Sequence, residues 1–318
     1  MGTSIEDRVG SLARQIATAS ADGHGGVVRS SWWTERMLEW AMSHPSFKTQ
    51  LFRFVDVFPA TADDSDVLRH LDEYFEGPEV PKLVDLGLGL ADHIPMLGTA
   101  AAAKLARRNI SQVAHQFIVG STPDEAVDGL RRLWQRGTAF TVDLLGEKTV
   151  TEDEADTYAA RVAELLTVLR DATRQWAPDD QLERDDLGSL ARVNVSVKPT
   201  ALSSRFSPLT REDGLDQAKA RLRPLLRLAQ ASDGFVHFDA EHYDVKDLTL
   251  QLFRELLTEP EFADVEAGVV IQAYLKDSFD DLADLIGFSS SRSKPITVRL
   301  VKGAYWDTES VVAAAEGW

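Results

Sequence analysis

The sequence predicts an α/β protein: about five of the eight βα units of a (β/α)8 TIM-type barrel, preceded by an α-helical arm. Three observations predict it. Before Gly137 the apolar residues recur with a helical period and no strand-like run stands out. After Gly137, short runs rich in β-branched residues alternate with longer helix-period segments. Each of those runs ends in a charged or amide residue, as the catalytic ends of barrel strands do. The break places an α-helical arm and accessory helical domain at 1–136 and the N-terminal part of the barrel at 137–318.

At 318 residues, 44% hydrophobic and 27% charged, the chain has the composition of a globular protein with a sizeable core. It has no cysteine, which excludes disulfides, thiolate zinc sites and cysteine nucleophiles and fits a reducing compartment. A net charge of -17 argues against nucleic acid as a partner and against electrostatic docking on anionic lipid. No apolar run reaches the roughly 18 residues that span a bilayer, and the start Met1 to Asp7 lacks a basic stretch followed by an apolar one. The expected location is the cytoplasm.

In the helical region, Trp32, Trp33, Met37, Leu38 and Trp40, then Leu51, Phe52, Phe54, Val55 and Phe58, supply apolar faces for short helices. Seven carboxylates between Asp63 and Glu79 form a solvated stretch, and His70 among them has no metal-ligand spacing; no metal site is expected. Asp85-Leu86-Gly87-Leu88-Gly89-Leu90-Ala91-Asp92 lacks the third glycine and the preceding strand of a dinucleotide loop. The run from Ala100 to Ala106 favours a buried helix. A capping box with proline at the first helical position opens a helix at Thr122-Pro123-Asp124-Glu125, and Gly137 stops it.

The expected strands are 139–145, 193–198, 235–239, 269–272 and 296–301. Between the first two, Thr151-Glu152-Asp153-Glu154 is a capping box for a helix whose apolar face carries Ala155, Tyr158, Ala159, Val162, Leu166 and Leu169. The third unit's helix carries Leu248, Leu252 and Leu256, and the fourth starts near Ser278.

The strand ends supply the candidate site. Lys198 follows Val193-Asn194-Val195-Ser196-Val197 directly; it is a loop charge, a partner for a substrate carboxylate, or a Schiff-base nucleophile. Asp239 and Glu241 share a face if their strand continues, whereas a bend after Asp239 leaves one of them at the cavity. Either can accept from a cofactor hydroxyl, act as a base, or cap a helix. Gln272 offers an amide donor and a carbonyl, which suits the edge of a neutral heteroaromatic ring or the neighbouring backbone. Arg299 interrupts the apolar run Ile296 to Val301, so it needs either a buried ion-pair partner or an electron-rich ring such as a flavin, whose reduced anion a fixed cation stabilises. Lys302-Gly303-Ala304 adds a second cation and a backbone open to close approach.

Val195-Ser196-Val197-Lys198, Phe238-Asp239-Ala240-Glu241, Ile271-Gln272-Ala273-Tyr274 and Val298-Arg299-Leu300-Val301-Lys302-Gly303-Ala304-Tyr305-Trp306-Asp307 resemble successive strand motifs of the proline dehydrogenase domain. The version they resemble most is that of bifunctional bacterial proline-utilisation enzymes. Asp143-Leu144-Leu145-Gly146-Glu147 is similar to the family's first strand ending, and the early helices are similar to its arm and helical domain. The resemblance implies FAD-dependent oxidation of L-proline to Δ1-pyrroline-5-carboxylate, the first step of proline catabolism towards glutamate, with a membrane quinone as acceptor. It implies that Arg299 lies near flavin N5, that Gln272 binds the isoalloxazine edge, and that Val301, Lys302, Gly303, Ala304 and Trp306 line the rest of the FAD site. Asp239 matches the aspartate that orders flavin and substrate, Lys198 the lysine near the proline carboxylate, and Tyr305 a tyrosine beside the substrate. Quinone reduction implies transient membrane contact at the inner face of the cell membrane, although no basic amphipathic helix is evident.

The fifth strand is followed closely by Trp318, where a closed barrel needs about 90 more residues for three further units. No Arg-Arg pair follows Arg132, whereas the family holds the proline carboxylate with paired arginines on a late helix. The sequence is therefore expected to be truncated, with weak FAD binding and little turnover by these residues alone. A catalytically incompetent barrel fragment acting as a structural or binding partner, and a Schiff-base lysine barrel, are the alternatives.

Overall fold

The computed structural model describes residues 5–22, 43–75, 118–145 and 149–318. The chain divides into two compact units, Met1–Ile118 and Val119–Trp318. The tryptophans from Trp32 to Trp40, the glycine segment 85–92 and the alanine run 100–106 lie outside the described residues.

In the first unit, helices α1 (Ile5–Asp22), α2 (Pro45–Val57) and α3 (Asp64–Phe75) are described. Helices α2 and α3 bury Phe47, Phe54 and Val67, with the Phe54 ring against Phe58 and Tyr74. In the described part of the acidic stretch Arg69 pairs with Asp66 and Glu73, and His70 pairs with Glu73 at 3.2 Å.

In the second unit, α4 (Pro123–Gln135) starts where the capping residues require, with Thr122 accepting from the Glu125 N–H. It ends at Gly137, whose φ of +75° is a left-handed stop. This helix, grouped by the sequence with the region before residue 137, packs with the second unit and buries Ala126, Leu130 and Trp134 in its core.

Strand β1 (Val142–Asp143) is followed by α5 (Glu152–Thr173), α6 (Asp180–Glu183), β2 (Val193–Val197), α7 (Arg211–Ala231), β3 (Gly234–Phe238), α8 (Tyr243–Thr258), β4 (Ala267–Gln272), α9 (Ser278–Ser290), β5 (Thr297–Val301) and α10 (Trp306–Glu316). The Thr151 to Glu154 capping box forms in full at the start of α5. That helix buries Ala155, Tyr158, Val162, Leu166 and Leu169, and leaves Ala159 half-buried.

The five strands are all parallel and lie in the order β1-β2-β3-β4-β5, the arrangement of consecutive βα units in a barrel wall. Strand pleat then sorts the side chains. Val193, Val195 and Val197 join Val236, Phe238, Val269 and Ile271 in the core against the helices. The alternate set, Asn194 and Ser196 on β2, Phe235 and His237 on β3, and Arg299 on β5, faces the opposite side of the sheet, and Lys198 and Asp239 follow directly at the strand ends.

The observed strands differ from expectation at their ends. β1 keeps two residues of the seven expected, paired through Val142 to Val195 and Asp143 to Ser196. β4 is longer than expected and is buried along its whole length, as a central parallel strand should be.

Candidate active site

Asp239 is the centre of the array. Its backbone N–H still donates to the Val197 carbonyl at 2.9 Å, so the chain leaves β3 only after this residue. One carboxylate oxygen, Oδ1, accepts from the Ser196 hydroxyl at 2.8 Å and meets Arg299 Nη1 at 3.3 Å. The other, Oδ2, lies 3.7 Å from Lys198 Nζ, which also bonds Asp143 Oδ2 at 2.6 Å. Arg299 Nη2 donates to the Ser196 oxygen at 3.1 Å. Four strands thus contribute: Asp143 from β1, Ser196 and Lys198 from β2, Asp239 from β3 and Arg299 from β5.

The array is sheltered without being sealed. The side chains of Lys198 and Asp239 are 13% and 15% exposed, whereas that of Arg299 is 36% exposed. Arg299 therefore has its ion-pair partner and still presents part of a five-donor guanidinium to the open side. Both of the readings open for it in the sequence, internal pairing and a surface for an electron-rich ring, are compatible with that placement. Lys198 sits as an ion-paired ammonium, the arrangement for holding a carboxylate rather than for a neutral-amine nucleophile.

Asp239 and Glu241 have different partners. Glu241 is buried and accepts from the Thr200 hydroxyl at 2.7 Å and the Thr200 N–H at 3.3 Å. Burial pushes its carboxyl up, against the pull of those hydrogen bonds and the Lys198 charge. Gln272 is buried too, and its Nε2 donates to the Glu241 carbonyl at 2.9 Å. The amide is thereby oriented by backbone, which fixes the direction of the rest of the side chain.

Beyond β5 the ladder continues: Ala273 and Tyr274 donate to the carbonyls of Val301 and Lys302 at 2.8 and 3.0 Å. Gly303 has φ of +124°, and a Cβ there would fall inside the Tyr274 ring. The glycine is thus demanded by Tyr274 packing. Lys302 and Ala304 are exposed, Tyr305 lies against the His242 ring at 4.5 Å between centroids, and Trp306 packs edge-on to Tyr274 while remaining 61% exposed.

Two residues escape the sequence reading. Ser196 sits at the crossing of the array, and the only sequence signal for it is alternation with Lys198 on one face of β2. His237 precedes Asp239 on the same face and is 5% exposed, with Nδ1 buried and unpartnered. Burial, and then the Arg299 charge, lower its pKa to about 4, so it is a neutral imidazole at neutral pH.

The parallel sheet thus carries an Asp–Arg–Lys–Ser array drawn from three strands, β2, β3 and β5. The family model for proline dehydrogenase matches residues 126–318, and that for the proline utilization A N-terminal domain matches 6–117. The chain belongs to the proline dehydrogenase family.

Within that family it is similar to the bifunctional protein PutA of Klebsiella aerogenes, at 31% identity over 206 residues, 64% of this chain and 15% of that one. Proline dehydrogenase 1 of Bacillus subtilis subsp. natto is 29% identical over 198 residues, 62% of this chain and 54% of the relative. Among solved structures, that of proline utilization A (PutA) from Bdellovibrio bacteriovorus inactivated by N-propargylglycine superimposes with a TM-score of 0.76 at 41% identity, covering 89% of this chain and 27% of that chain. The chain spans 15% and 54% of the two relatives' lengths. These matches carry the barrel fold and the family's oxidoreductase character, with proline oxidation as the family's reaction.

Proposed function

We propose that this chain carries the flavin-facing wall and part of the substrate site for FAD-dependent oxidation of L-proline to Δ1-pyrroline-5-carboxylate. The observation that carries the proposal is the half-exposed Arg299 guanidinium, fixed from behind by Asp239 and Ser196 at the strand ends of a proline dehydrogenase barrel.

The residues present fit FAD by the chemistry of their donors. Arg299 is anchored at two nitrogens and keeps further N–H groups for acceptors on a ring edge. Gln272 is held by its Nε2 at the end of the neighbouring strand, and Lys302, Ala304 and Trp306 expose a cation, a methyl-sized side chain and an indole, with Gly303 packed under Tyr274 and Val301 at the base. When bound, FAD supplies the acceptor for a hydride leaving C5 of proline. Lys198 takes the proline carboxylate, with Asp143 and Asp239 holding its ammonium in place. Asp239 balances Lys198 on one side and Arg299 on the other, so substrate and cofactor positions are set by a single carboxylate. Tyr305, braced by His242, packs beside the ring of the substrate.

A quinone is the proposed final acceptor, reached by transient contact of a cytoplasmic protein with the inner face of the membrane. Among the described residues no helix is long and apolar enough to cross a membrane. The test is to mix the purified chain with FAD and follow co-elution of flavin and its bleaching by L-proline. Weakly bound flavin that co-elutes and is bleached by L-proline without sustained turnover, with bleaching lost in Arg299→Ala, is the expected result. A folded but colourless and inert protein overturns the proposal in favour of a non-catalytic barrel.

A further inference from the structure

We infer that Ser196 is a positioning residue that sets how Arg299 is aimed, an inference that rests on the proposed flavin site. Ser196 is 1% exposed and lies one residue before the end of the second strand, in register with Asp143 on one side and His237 on the other. Its hydroxyl is the only hydrogen-bonding group among the described residues that touches both Asp239 and Arg299.

The direction of that hydroxyl is fixed by chemistry. A guanidinium has no acceptor, so the Ser196 proton must point at Asp239, leaving the oxygen lone pairs for Arg299 Nη2. The direct contact between Arg299 and Asp239 is 3.3 Å, longer than the roughly 2.7–2.9 Å of a tight charge-assisted bond. Charge attraction alone holds the guanidinium near the carboxylate without fixing its rotation. The hydroxyl supplies the second anchor and closes a three-membered ring of hydrogen bonds, each polarising the next. Arg299 reaches this ring from the fifth strand, across the third and fourth, so a small change at Ser196 is felt at the far end of a long lever.

Loss of the hydroxyl leaves Arg299 with one anchor and Asp239 with one donor fewer. The guanidinium then spends less time in the orientation that favours the reduced flavin, while the Lys198 contacts, on the other carboxylate oxygen, stay in place.

The test compares Ser196→Ala, Ser196→Cys and Ser196→Thr with the unaltered chain loaded with FAD. In Ser196→Ala the bias towards reduced flavin should fall roughly tenfold, a midpoint potential about 30 mV lower for a two-electron couple. kcat should fall by a similar factor while KM for L-proline moves less, because Lys198 is untouched. Ser196→Thr, which keeps the hydroxyl, should restore the potential, and Ser196→Cys, which keeps the volume with a weaker donor, should lie between. An unchanged potential in Ser196→Ala overturns the inference, as does failure of Ser196→Thr to restore it at full flavin occupancy. An independent readout uses flavin-free protein: the Arg299 guanidinium protons should give slowed, resolved NMR signals that collapse in Ser196→Ala. Identical signals overturn the inference even if the alanine variant takes up no flavin. An unaltered chain that binds no FAD refutes the proposed function instead, and leaves the NMR comparison to decide the role of Ser196.

Discussion

Asp239 answers two cations with one carboxylate, Arg299 and Ser196 at Oδ1 and Lys198 at Oδ2, and this makes it the least replaceable side chain of the site. Asp239→Ala should cost about 1–3 kcal/mol in a urea melt, since it takes an acceptor from the Ser196 hydroxyl and the Arg299 guanidinium, and should abolish bleaching of bound flavin by L-proline. His237 makes a different prediction. The unfolded chain takes up a proton on this imidazole near pH 6.5, the folded chain only near 4, so the folded state binds fewer protons in that window. Stability that is fully present above pH 6.5 is lost as pH falls towards 4, by up to about 3 kcal/mol. His237→Phe should flatten that part of the stability profile, measured by urea melts at several pH values; a variant profile as steep as the original sinks this assignment. Lys198, Asp239 and Gln272 stood out in the sequence as charged or amide residues at the ends of apolar strands, and Arg299 as a charge inside one. Ser196 did not, because a serine inside Val-Asn-Val-Ser-Val costs little when buried with a partner, and the partner lies 43 residues away.

The elements show the same division between local and distant causes. The Thr151 capping box and the Thr122 cap, whose Glu125 carboxylate accepts from the Ser121 N–H rather than from Thr122, were legible because their hydrogen bonds close within four residues, and Thr151→Ala should cost about 1 kcal/mol through the lost α5 cap, read as a lower thermal midpoint. The junction after β5 is less forgiving. Gly303→Ala sets a Cβ against the Tyr274 ring at 1.4 Å and asks an L-residue to hold φ of +124°. It should destabilise by about 1–3 kcal/mol from backbone strain alone, and displace Trp306 from Tyr274, visible as a change in tryptophan fluorescence. Strand lengths were less legible: β1 keeps two residues of the seven expected, whereas β5, also paired on one side only among the described residues, keeps five. The link between α8 and α9 was invisible in the sequence: Lys246 is 10% exposed and bonds Asp277 at 3.0 Å and Asp281 at 2.6 Å, more than 30 residues on. Those carboxylates hold its ammonium well above the usual lysine range, against the cost of burial.

At the scale of the molecule, the barrel class was legible because a parallel sheet demands its own grammar of short apolar runs and long amphipathic helices. The large buried cluster of the second unit draws only on residues from Ala126 to Leu285. If FAD binds that unit's folded state, ligand at about one hundred times its dissociation constant should add about 2.7 kcal/mol, seen as a rise in the unit's thermal midpoint that is absent with Arg299→Ala. The strand order has a further consequence, for synthesis. Because β1 to β5 neighbour one another in the order in which a ribosome releases them, every strand emerges to find its pairing edge already made. The wall can be laid down from one side without waiting for a distant partner. Circular permutation that delivers β2 last would force an interior strand into a gap between β1 and β3, and should slow refolding far more than it lowers final stability.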